Sequence, residues 1–237
     1  MTLLLLLLAL LPGDDDAAAT AALDKFKTDY RSKEATVRAT AVVELSRTEH
    51  DKVVSRLAGL LVTDEKEVRI AAAKGLGGWA ENRKKPVAVL CAAVGSNAKE
   101  PLVLAAILDA LGKLKEAPAA AEVERHFKSK QIPEAKSAIE AAGAIGSRSS
   151  VQPLIETLRW LEEGAKEAPA YGGNGGGGKT PGVGGSGTSD EAGKERERTL
   201  RPLVLKALEA LAKTTKSEAK AWEDWWRTDG ARFMSGK

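Results

Sequence analysis

The sequence predicts an all-α solenoid of about five helix-pair repeats, interrupted by a flexible Gly-rich insertion. Three observations lead there. Four segments say nearly the same thing: Val37-Arg38 to Leu45, Val68-Arg69 to Leu76-Gly77, Leu104 to Leu111-Gly112, and Ala138 to Ile145-Gly146. Leu45, Leu76, Leu111 and Ile145 hold one register at spacings of 31, 35 and 34 residues. A fixed period in this range marks stacked supersecondary units that bury their apolar faces on one another. Hydrophobic residues make up 43% of the chain and aromatics only 4%, so alanine and leucine, both strong helix formers, carry the core. No run alternates β-branched residues with the period of two that a strand requires.

The elements follow in order. Leu23, Phe26, Lys27 and Tyr30 define a leading amphipathic helix over 23–33. The first unit pairs 34–46 with 50–62, where Val53, Val54, Leu57, Leu60 and Leu61 share one face at helical spacing. The second pairs 66–80 with 84–95. The third pairs 100–114 with 118–129, with Pro101 and Pro118 in first turns, where the missing N–H costs nothing. The fourth pairs 133–146 with 149–163 along Val151, Leu154, Ile155, Leu158 and Leu161. Gly95, Gly112 and Gly146 fall near helix ends, where a left-handed cap favours glycine. Helix resumes in the fifth unit with Pro202 near its start and Leu203, Leu205, Leu208 and Leu211 following. A last helix carries Trp222, Trp225 and Trp226.

Two segments depart from this pattern. Leu3 to Leu11 is an apolar run broken by Pro12-Gly13, too short to span ~30 Å of hydrocarbon as a helix. It matches the apolar region of a secretory signal peptide, with small-residue cleavage sites at Ala17-Ala18-Ala19 and Ala19-Thr20-Ala21. No Lys or Arg precedes it, and Asp14-Asp15-Asp16 lies just before the cut. The expected organisation is a signal peptide over 1–19, a leading helix and four repeats over 20–165, a Gly-rich disordered insertion over 166–195, and terminal capping helices over 196–237. Export to the periplasm or cell exterior follows, with the cytoplasm as the alternative. No integral membrane segment is expected after cleavage.

Within the insertion, Gly173 to Thr180 formally matches a phosphate-binding P-loop, Gly-x-x-x-x-Gly-Lys-Thr. That loop works only when a strand delivers it and a helix follows. Here Ala165 to Tyr171 is no buried strand and Pro181-Gly182 stands where the helix must begin. No nucleotide binding is expected.

Composition narrows the chemistry further. The net charge of +3 comes from 36 basic and 33 acidic residues mixed along the chain. The longest basic run is Arg83-Lys84-Lys85, so the clustered footprint of a nucleic-acid binder is missing. Cys91 is the one cysteine, lies in an apolar run and reads as a core residue. His50 and His126 lie far apart with no metal-ligand spacing, and no Gly-x-Ser-x-Gly elbow occurs. No catalytic residue, metal or cofactor is expected.

The repeated pattern, an acidic start followed by Val-Arg, alanines and Leu-Gly, resembles HEAT repeats, including the short bacterial HEAT-like form. Asp64, Val68, Arg69, Ala71, Ala72, Leu76 and Gly77 carry the resemblance most fully. The first unit keeps Val37, Arg38, Ala41 and Leu45 but has Ser46 where glycine stands elsewhere; units three and four replace the arginine with Leu104 and Ala138. The resemblance covers about 34–228. It implies a right-handed α-solenoid whose second helices line a concave protein-binding face. It also implies that Arg38 and Arg69 form a polar ladder between repeats. Some HEAT-like proteins are bilin lyases, which keeps a lyase or chaperone activity as one alternative.

On helical phase, Lys52, Arg56, Glu122, Arg125, Glu156 and Arg159 are the expected exposed positions of the second helices. Another protein is the expected partner. Trp222, Trp225 and Trp226 share one helix face through their i, i+3, i+4 spacing. They read either as a heavy cap over the end of an alanine-rich core or as an aromatic anchor for a protein or polysaccharide, which keeps an envelope structural protein that binds polysaccharide as the other alternative to a protein-binding scaffold.

Overall fold

A computed structural model describes residues 14–165 and 187–236 of the chain. The leucine run before Asp14 and the segment 166–186, with the P-loop-like Gly173–Thr180, lie outside the described residues. Among the described residues every regular element is helical: α1 Asp14–Asp29, α2 Ala35–Ser46, α3 Asp51–Thr63, α4 Lys66–Gly77, α5 Lys84–Ser96, α6 Pro101–Leu114, α7 Ala120–Glu124, α8 Ile132–Ile145, α9 Val151–Gly164, α10 Gly187–Ala212 and α11 Ala219–Ser235. Short 3₁₀ turns at Ala117–Ala119 and Arg148–Ser150 lead into α7 and α9.

The helices form two layers. First helices of successive units, α2, α4, α6, α8 and α10, pack side by side in a row. Second helices α3 and α5 pack alongside each other, as do α9 and α11, and α7 meets the turn before α9. Between the layers runs one continuous core, from Phe26 through Leu45, Leu57, Leu76, Leu90, Leu111, Ile139 and Leu158 to Leu208 and Trp222. This is an all-α solenoid.

Small residues set how closely the first helices approach. A Cβ at Gly77 would sit 2.6 Å from the Cα of Ala110, and one at Gly112 would sit 2.7 Å from the Cα of Ala141. The glycine of the Leu-Gly signature therefore serves helix contact. This corrects the reading of Gly112 as a cap: it lies inside α6, and the left-handed residue that ends α6 is Lys115, at φ 55°. Gly95 likewise lies within α5. Gly146 does cap α8 in the left-handed conformation, at φ 78°.

Other boundaries also shift. The leading helix runs over 14–29, earlier than 23–33, because Ala19 and Phe26 both bury against the first unit. α10 begins at Gly187, so residues 187–195 are helical and not part of an unstructured insertion. Pro202 consequently sits in the interior of α10 and not near its start. The second helix of unit three, expected over 118–129, contracts to the 3₁₀ turn and five-residue α7. Among the signature positions Val68, Leu76 and Leu111 are fully buried, whereas Val37 is 44% exposed. Val37 opens the first unit, and α1 covers Ala41 and Leu45 further along the helix.

Candidate functional site: the second-helix surface and its C-terminal cleft

The Arg38 and Arg69 side chains bind adjoining units. Arg38 donates to Asp64 Oδ1 at 2.8 Å and Glu65 Oε1 at 3.0 Å, and to the carbonyls of Ser32 and Lys33. Arg69 donates to Asn97 Oδ1 at 3.0 Å. Asn97 is fully buried and its amide donates to the carbonyls of Leu61 and Ala93, so one side chain touches two units. Asp64 and Asn97 each follow a second helix, and together with the arginines they form a polar ladder. Where Leu104 and Ala138 replace the arginine, the residues are buried in the core instead. Trp79, which no repeat motif singles out, adds a buried bond from its indole N–H to the Ser46 carbonyl at 2.9 Å.

The residues expected on the second helices do lie on that layer, but they do not form one surface. Lys52 Nζ lies 3.2 Å from Asp16 Oδ1, and His50 Nε2 lies 3.0 Å from the same oxygen. Arg56 stacks its guanidinium over Phe26 and Tyr30, with Cζ 5.2 and 5.5 Å from the ring centroids. Both are thus engaged by α1, whose acidic and aromatic side chains complement them. Arg125 is exposed and pairs with Glu122 at 2.8 Å. Arg159 lies between Glu223 at 3.3 Å and Glu163 at 3.8 Å, and Glu156 approaches Lys128 at 4.0 Å. Cys91 on α5 is half-buried, and burial first, then the nearby Glu122 carboxylate, pushes its thiol above the ordinary value of 9.0. Such a thiol is a poor nucleophile at neutral pH.

The three tryptophans divide. Trp222 is fully buried, donates its indole N–H to the Lys216 carbonyl at 3.2 Å, and closes the end of the core. It cannot contact a partner, which corrects its place among the binding residues. Trp225 is half-buried between Trp222 and Phe233, each ring 5.6 Å away and edge-on. Trp226 is also half-buried, but it lines a surface cleft of ≈ 330 Å³ between α9 and α11, together with Gln152, Ile155, Glu156, Arg159 and Glu223. The structure therefore brings the α9 charges and Trp226 into one place, although they lie in different units of the sequence.

Among the described residues no group of three or more His, Cys, Asp or Glu side chains could hold a metal ion. No helix among them is long and apolar enough to cross a membrane.

Residues 63–142, from the end of α3 into α8, match the family model for HEAT repeats. Over that stretch the chain is similar to HEAT repeats. The match spans the ladder rung at Arg69 and Asn97 and both close-packing glycines, Gly77 and Gly112. HEAT repeats generally mediate protein–protein interaction, and the family is typically a non-enzymatic scaffold. No curated protein matches the sequence.

Proposed function

We propose that this HEAT-like protein is a non-enzymatic scaffold that binds another protein along its second-helix layer. The observation that supports this is how that layer's charges are disposed. Arg125 and Arg159 keep 71% and 53% of their side-chain surface exposed, held only by lateral pairs with neighbouring carboxylates. Exposed pairs of this kind add little to stability, on the order of 0–1 kcal/mol, so they are available for a partner at small cost. Lys52 and Arg56 take a different part: they hold α1 in place at the N-terminal end.

Site-specific photo-crosslinking from positions on α7 and α9 in a native extract tests the reading. One dominant protein adduct that disappears when Arg125 and Arg159 are both reversed to glutamate supports a scaffold. Crosslinking indistinguishable from a charge-matched control protein sinks it.

We further propose that the scaffold is exported, on the strength of the leucine run and the small residues near Ala19. Cleavage after Ala19 would remove Asp16, the partner of His50 and Lys52, and α1 would then begin at Thr20. N-terminal sequencing of the protein from fractionated cells decides it: Thr20 in the envelope fraction supports export, and intact Met1 in the cytosol overturns it.

A further inference from the structure

The cleft between α9 and α11 has an aromatic wall, Trp226. Gly230 is buried beneath Trp226, and a Cβ there would lie 2.9–3.2 Å from three atoms of the indole's fused ring. The missing side chain lets the indole rest against its own helix. Phe233 holds it at 6.4 Å, inclined by 64°, and Trp225 at 6.2 Å. Trp226 is thus fixed as one wall of the cleft before any ligand arrives.

The other walls are polar groups already oriented by bonds among themselves. Gln152 donates to Glu156 at 3.3 Å, Arg159 donates to Glu223 at 3.3 Å, and Arg227, which also borders the cleft, donates to Asp224 at 2.9 Å. Two glutamates and two arginines line the space, so their formal charges cancel. A cleft of no net charge gives no advantage to an ionic ligand. It does offer carboxylate acceptors, guanidinium donors and an amide that is both, set around an aromatic wall. The volume stands near the lower end of the ~300–1,000 Å³ of small-molecule sites.

We propose that this cleft binds a neutral oligosaccharide of β-linked pyranose units. One ring would lay its C–H face on Trp226, whose π face is electron-rich. Its equatorial hydroxyls would bond Glu156, Glu223, Arg159 and Gln152. The proposal does not rest on the protein-binding reading, although the two share Arg159.

Titration of the full chain with cellotetraose and with chitotetraose tests this, read by the Trp226 indole N–H resonance and by calorimetry. A saturable shift at millimolar sugar or below is expected with at least one of the two. Trp226→Ala is expected to weaken binding about tenfold or more, the loss of an aromatic anchor. Gly230→Ala, whose methyl would push the ring from its seat, is expected to weaken it as well while circular dichroism stays unchanged. Trp160→Ala, a half-buried tryptophan of α9 that lies under Arg196 and does not line the cleft, should leave affinity within about twofold. Resonances that do not move up to about 10 mM of either sugar overturn the proposal. So does equal affinity in folded Trp226→Ala, or an acidic or basic peptide that saturates the cleft where sugars do not.

Discussion

The joints of the N-terminal half and those of the C-terminal half are held by different chemistry. Between units one and three, an arginine one residue past the repeat valine reaches a side chain that follows the next second helix: Arg38 to Asp64, then Arg69 to Asn97. The rungs recur with the repeat. From unit three onward carboxylates take over at positions of no common register. Glu124 accepts from Ser150 at 2.7 Å, His126 lies 2.7 Å from Glu134, and Glu162 accepts from Arg201 and from the Ala219 backbone N–H. The N-terminal end is closed by α1, through Phe26 and charge pairing. The C-terminal end is closed by the tryptophan of α11. A stack of near-identical units thus needs periodic joints only where the units themselves stay periodic; where α7 shortens and α10 lengthens, each joint is an individual solution.

Four substitutions or titrations would break or sharpen this contrast. Trp222→Ala should have the largest effect, about 3–5 kcal/mol, since it empties a fully buried indole volume at the end of the core. Urea unfolding followed by circular dichroism measures it, and a loss under about 1 kcal/mol would mean that the aromatic end does not close the stack. Asn97→Ala should cost about 2–3 kcal/mol, because it strands the Leu61 and Ala93 carbonyls and the Arg69 guanidinium in a buried place. If Asn97→Ala cost no more than an exposed asparagine, the ladder would be ornamental.

Gly77→Ala comes next, at about 1–3 kcal/mol of destabilisation from overpacking against Ala110, partly offset by about 1 kcal/mol of helix preference for alanine. A stabilised Gly77→Ala protein would refute close approach as the reason for the signature glycine. The smallest effect lies at Cys91, where the two halves meet. Its folded thiol titrates above 9.0, so the stability it contributes is complete below the unfolded thiol's value and falls as pH rises through the folded one. Alkylation by iodoacetamide at pH 7 should accordingly run slower than for an unfolded control and accelerate on Glu122→Gln, which removes the neighbouring charge. Equal rates in all three would show that neither burial nor Glu122 governs the thiol.

Much of the N-terminal half was legible in the sequence, since its pattern is periodic. The helix pairs of units one and two appear within a few residues of their expected ends, and Arg38 and Arg69 form the ladder that the resemblance implied. Trp79 escaped because a tryptophan after a glycine pair carries no periodic signal, although its bond to Ser46 spans two units. The site was less legible. Helical phase put Lys52 and Arg56 on the second-helix surface, yet phase says nothing about α1 lying over them. It put Trp222, Trp225 and Trp226 on one helix face, but a face of ~100° spans both core and surface, and the difference between buried Trp222 and half-exposed Trp226 is a matter of which neighbour packs there.

By itself the sequence determined an all-α repeat stack, its helix pairs, and the positions at which arginine and glycine recur, because periodic apolar spacing leaves a helix only one face to bury. The tertiary structure alone decided that Gly77 and Gly112 are points of helix contact, that α1 claims Lys52 and Arg56, and that Glu156, Arg159 and Trp226 share a cleft. Those outcomes depend on the distance and angle between helices, which residues far apart in the chain set together.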